Sequence, residues 1–91
     1  MNINELNWET HPVGKGTLAR IFFDNGYGAS IILGSFFYSN GIDTYEIGVL
    51  KGTEEDWDLT YKTPITDDVL GYLTKAEVLN ILKEIESLPN G

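Results

Sequence analysis

RIFFDNGYGASIILGSFFYSNGIDTYEIGVL, residues 20–50, decides the fold. Two Asn-Gly dipeptides, Asn25-Gly26 and Asn40-Gly41, interrupt its apolar and aromatic runs. Asn-Gly between such runs is the strongest short-range hairpin signal, because a type I′ turn needs positive φ at both central positions. Two such turns in series predict three antiparallel strands, at residues 18–23, 27–39 and 43–50. A fourth, residues 57–62, follows the loop 51–56.

Two-residue turns fix the register by arithmetic. Phe22 faces Ala29, Ile21 faces Ser30 and Ala19 faces Ile32. Across the second turn Ile32 faces Val49, Gly34 faces Ile47 and Phe36 faces Tyr45. One face then carries Ala19, Ile21, Phe23, Ile32, Phe36, Tyr38, Tyr45, Ile47 and Val49, with only Asp43 charged, and is the expected core face. The other holds Leu18, Phe22, Ile31, Leu33 and Leu50 beside Arg20, Ser35, Thr44 and Glu46. Phe23 opposite Gly28 fits an aromatic ring covering a strand glycine. Gly34, in mid-strand, is a candidate bulge that would shift the register beyond it.

Thr74-Lys75-Ala76-Glu77 is a capping box, in which hydroxyl and carboxylate each satisfy an orphan amide at a helix start. Val78, Ile81, Leu82 and Ile85 follow at i, i+3, i+4 and i+7, with Leu79 beside them, and predict a helix over residues 75–87. Pro89-Asn90-Gly91 ends it. Thr66-Asp67-Asp68 reads as the cap of a short helical turn running to Tyr72. Residues 1–17 read as loop around His11-Pro12 and Gly14-Lys15-Gly16, with Leu6 and Trp8 able to pack as an edge strand. The expected fold class is α+β: a four-stranded antiparallel β-meander with a C-terminal α-helix packed on one face, one domain over 1–91.

Ninety-one residues suffice for one modest core, and 42% apolar against 22% charged residues argues against wholesale disorder. Fourteen acidic against six basic residues give a net charge of −8, which argues against a general phosphate-backbone binder and leaves a basic protein partner open. Spread over the ~5,300 Å² such a mass exposes, that charge is about sixfold more dilute than on duplex DNA, so mimicry of DNA would need most acids on one side. With no cysteine and one histidine, His11, neither a disulfide, a catalytic triad nor a zinc site can be assembled within one chain. The first residues, MNINELNWE, lack the basic and apolar regions of a secretory signal, and no apolar stretch approaches the ~20 residues that span a bilayer. No cofactor and no membrane are expected. Gly26 and Gly28 lie in a hairpin, not in a strand-to-helix phosphate loop.

Two surfaces stand out. Glu54, Glu55, Asp56 and Asp58 form the densest acidic run, to which Asp67 and Asp68 add further charge. The run lacks the ligand spacing and glycine of a calcium loop, and a strand-to-strand turn is the usual home of solvated charge. Phe36, Phe37 and Tyr38 cannot all enter one core, because alternation sends Phe37 to the opposite face. Aromatics exposed near a hairpin tip are typical interface anchors, unless the N-terminal segment covers that second face.

ARIFFDNGYGASII (19–32), YEIGVLKG (45–52) and TPITDDVLGYLT (63–74) resemble a group of small proteins of unassigned function encoded by tailed bacteriophages and prophages. The resemblance runs nearly the whole chain, from MNINELNWE to the closing SLP, on turn and cap motifs. It implies a phage accessory protein acting in the cytoplasm of the infected bacterial host. By analogy of context it implies a non-enzymatic inhibitor of a host protein, such as a nucleic-acid-acting or defence enzyme, without direct nucleic-acid binding. The alternative is a phage structural or assembly accessory, a homodimer or larger oligomer through the second sheet face.

Overall fold

In the computed structural model, which describes residues 3–12, 16–35, 37–60, 63–65 and 69–90, the first Asn-Gly pair closes a hairpin, but through three residues rather than two. Phe23 N–H donates to Tyr27 O at 2.8 Å and Gly26 N–H to Phe23 O at 3.4 Å. Gly26 has φ 85°, whereas Asn25 has no positive φ, so the loop is a type I turn followed by a left-handed glycine. The reason lies at the far end of the chain. Asn25 Nδ2 donates to the carbonyls of Ile85 at 2.8 Å, Glu86 at 3.1 Å and Leu88 at 3.1 Å, while Oδ1 accepts from Tyr27 N–H at 3.1 Å. The same asparagine side chain thus caps the end of the C-terminal helix from within the turn.

The strands are β1 (Glu9–Thr10), β2 (Thr17–Phe22), β3 (Tyr27–Leu33), β4 (Tyr45–Thr53), β5 (Asp56–Leu59) and β6 (Leu70–Leu73), and the helix is α1 (Lys75–Glu86). The class is α+β, as expected, but the described residues form a six-stranded antiparallel sheet rather than a four-stranded meander. Its order is β1-β2-β3-β4-β5, with β6 also beside β4. β4 is long enough to serve two partners on one edge: residues 50–53 pair β5, and Tyr45 and Ile47 pair β6.

The three-residue loop moves the first register by one: Phe22 faces Gly28, Ile21 faces Ala29 and Ala19 faces Ile31. A one-residue slip sends every side chain of a strand to the other face. Ala29 and Ile31 therefore join Ala19, Ile21, Ile47 and Val49 on the core face, and Ile32 passes to the opposite face with Leu18 and Leu50. Phe22, not Phe23, covers the strand glycine: a Cβ on Gly28 would lie 2.7 Å from Phe22 Cδ1.

Asn40-Gly41 is not a hairpin turn. β3 ends at Leu33 rather than at residue 39, and residues 34–35 and 37–44 lie outside any strand, tied together by side-chain hydrogen bonds. Asn40 Oδ1 accepts from the amides of Ile42, Asp43 and Thr44 at 2.8, 3.0 and 3.0 Å. Ser39, only 3% exposed, accepts from Gly34 and Gly41 N–H and donates to Thr44 O at 2.6 Å. Asn and Ser side chains compete with the strand ladder for backbone amides, and here they win. The fourth expected strand is β5, ending at Leu59. The expected helical turn is strand β6 over Leu70–Leu73. Thr66, Asp67 and Asp68, its expected cap, lie outside the described residues.

α1 keeps its expected form. Thr74 Oγ1 accepts from Glu77 N–H at 3.3 Å and Glu77 Oε1 accepts from Thr74 N–H at 3.0 Å, hydrogen bonds that hold the Glu77 carboxyl below its ordinary value. Val78, Ile81, Leu82 and Ile85 are buried against the core face. The N-terminal segment closes this same core rather than the second face. Ile3 is buried, its carbonyl accepts from Trp8 Nε1–H at 3.0 Å, and the Trp8 ring lies 6.0 Å from that of Tyr45. Leu18, Ile32 and Leu50 on the second face are nonetheless buried.

Candidate functional site: the Tyr38–Tyr72 cleft

β6 does not pair evenly. Tyr45 faces Leu73 and Ile47 faces Leu70, so Gly71 and Tyr72 together stand opposite Glu46. Two residues against one is a β-bulge, a device that re-aims a side chain. Leu70 and Leu73 thereby both reach the core, although their spacing would divide them in a regular strand. Tyr72 takes φ 54°, the sole positive φ at a non-glycine among the described residues.

Tyr38, between β3 and β4, meets this bulge. Tyr72 N–H donates to Tyr38 O at 2.9 Å, and Tyr38 N–H donates to Glu46 Oε1 at 3.1 Å. Gly71 permits the approach, since a Cβ there would lie 2.5 Å from Tyr38 Cβ. Both rings stand in solvent, Tyr38 at 58% and Tyr72 at 61% exposure. Neither packs against another aromatic ring among the described residues. Between them opens a cleft of about 370 Å³ lined by Ser35, Phe37, Tyr38, Glu46 and Tyr72.

Of the aromatic trio, Tyr38 is exposed and Phe37 is half-buried, its ring 4.5 Å from that of His11 and against Gly34. Phe36 lies outside the described residues. Within the acidic run, Glu54, Glu55, Asp56 and Asp58 are all exposed around the β4–β5 turn. Asp67 and Asp68 lie outside the described residues. The structure does not bring the two surfaces together. Glu46 lies near the start of β4 and Glu54 just past its end, at most about 26 Å apart at ~3.3 Å per residue.

A second cleft, of about 430 Å³, lies where the curled sheet brings β2 towards β5. Arg20 crosses it, with its guanidinium carbon 4.6 Å from the Trp57 ring centroid and its Nη1 3.9 Å from Glu9 Oε1. A cation–π contact of this kind contributes ~0.5–1 kcal/mol, and here it ties one side of the curl to the other. Among the described residues no three His, Asp or Glu side chains converge to hold a metal ion, and no helix is long and apolar enough to cross a membrane.

The sequence singled out Tyr38 of the residues lining this cleft, with Phe37, but not Tyr72 or Glu46. The available signal was Gly71-Tyr72 inside an apolar run, where an isolated glycine suggests a bulge or a close backbone approach. No protein-family model, no curated protein and no solved structure matches the chain.

Proposed function

We propose that this protein is a non-enzymatic phage accessory protein that docks on and inhibits a host protein through the surface around Tyr38 and Tyr72. The target class is a nucleic-acid-acting or defence enzyme, met in the cytoplasm of the infected bacterium. One observation carries the docking surface: Tyr72 is held exposed, in the left-handed region, at a bulge. For a side chain other than glycine that conformation costs about 1–2 kcal/mol. An exposed ring returns little of that cost to folding, and glycine would remove it. Strain kept at an exposed aromatic supports a contact made outside the chain. Tyrosine is also among the residues that dominate interface energies, being large, stiff and amphipathic.

The acidic turn at the far end of β4 has a different part, drawing a basic partner in and setting the association rate. The assembly alternative relied on an open second sheet face. Leu18, Ile32 and Leu50 on that face are buried within the chain, which leaves it less apolar surface to offer.

The test is affinity capture from bacterial lysate, with the wild type, Tyr38→Ser, Tyr72→Gly and a Glu54→Lys/Glu55→Lys variant as parallel baits. A host protein retained by the wild type and lost from both tyrosine variants is expected. The charge-reversed bait should retain it with slower association. Undiminished retention by the tyrosine variants, or self-association as the sole product, would overturn the proposal.

A further inference from the structure

We infer that the Tyr38–Tyr72 cleft seats an arginine side chain of the partner protein. The inference rests on the docking surface proposed above and names what enters it. Three aromatic residues, one carboxylate and Ser35 line the cleft among the described residues, and no described lysine or arginine does. Aromatic faces attract cations through the ring quadrupole, and a guanidinium stacks on tyrosine more readily than an ammonium does.

Glu46 supplies the complementary charge. Its Oε1 is occupied by Tyr38 N–H, whereas its second oxygen has no hydrogen-bond partner among the described residues. The Glu46 carboxylate lines the cleft, where a guanidinium N–H can donate to it. The bulge gives the arrangement its logic. It places Tyr72 opposite Glu46, while the bond from Tyr72 N–H to Tyr38 O fixes the second tyrosine beside them. Aromatic residues and a carboxylate lining one cleft, in a chain of net charge −8, complement a cation better than an anion.

The probe is the capped tripeptide acetyl-Gly-Arg-Gly-amide, titrated into the isotopically labelled protein at about 150 mM salt, where exposed charges are screened beyond ~8 Å. The control replaces arginine with citrulline, which keeps the planar shape and loses the charge. Glu46→Gln keeps an oxygen for Tyr38 N–H and removes the carboxylate. Saturable shifts at Tyr38, Tyr72 and Glu46 are expected with the arginine peptide. Affinity should fall about fivefold or more with citrulline, and by a similar factor in Glu46→Gln. Equal affinity for both peptides would overturn the cation assignment while leaving the docking surface intact. Shifts confined to Glu54, Glu55 and Asp58, or none at all, would also overturn it, and the capture experiment would then judge the docking surface separately.

Discussion

Asn25 joins the β2–β3 hairpin to the end of α1, and its replacement is the sharpest test of how the fold closes. The amide hydrogens of Nδ2 are shared among three carbonyls at 2.8–3.1 Å, and Oδ1 takes a fourth bond from Tyr27 N–H. Two full donor bonds and one acceptor bond, each ~0.5–1.5 kcal/mol net, would sum to ~1.5–4.5 kcal/mol. The Glu86 carbonyl is exposed and regains water, which brings the expected loss for Asn25→Ala to about 2 kcal/mol. In a domain of this size that lowers Tm by roughly 8–16 °C. Asn25→Asp keeps the Tyr27 bond but sets a carboxylate against the negative end of α1, adding ~0.3–1 kcal/mol. That added cost should fade as pH falls through about 4 and the carboxylate is protonated, whereas the Asn25→Ala deficit should not change there. Urea unfolding followed by circular dichroism, at pH 7 and pH 4, reads both effects. If both variants lie within ~0.5 kcal/mol of wild type at pH 7, Asn25 does not cap the helix and the explanation of the three-residue turn fails.

Two further outcomes concern the core. Leu82 is 1% exposed, so Leu82→Ala should cost ~2–5 kcal/mol by urea unfolding with an unchanged m-value. A loss below ~1 kcal/mol would mean that the helix packs elsewhere in solution. Burial, and then the nearby Asp43 carboxylate, push the Tyr45 phenol above its ordinary value of 10.0. The folded chain keeps that proton where the unfolded chain releases it, so stability is full below pH ~10 and declines above it. Tyr45→Phe should behave like wild type at neutral pH and lose less stability on alkaline titration. Parallel curves for the two proteins would contradict the assignment.

The parts legible in the sequence are those whose causes are local. The capping box and the i, i+3, i+4, i+7 apolar stripe lie within a dozen residues, and they located α1 and its four buried side chains. Asn25-Gly26 announced a hairpin correctly but not its length, because the carbonyls of Ile85, Glu86 and Leu88 decide what Asn25 does. That single extra loop residue reversed the faces of β3. Asn40-Gly41 carried the same dipeptide to a different end, since Asn40 and Ser39 divert the loop amides that a strand would need. Leu70 and Leu73, three apart, mimic a helical repeat. The bulge at Gly71-Tyr72 makes that spacing compatible with a strand, and it also creates the cleft. Tyr72 and Glu46 escaped notice because the cleft depends on a contact between residues 38 and 72, set by backbone irregularity that no periodicity reports.

The docking surface is tested most directly by hydrogen–deuterium exchange on the protein alone and in complex with the captured host protein. Backbone amides of residues 34–44 and of β6 should slow markedly in the complex, with those of the 53–58 turn little changed at moderate salt. Protection confined to residues 53–58, with residues 34–44 and β6 exchanging as in the free protein, would contradict the account and place the interface on the acidic turn.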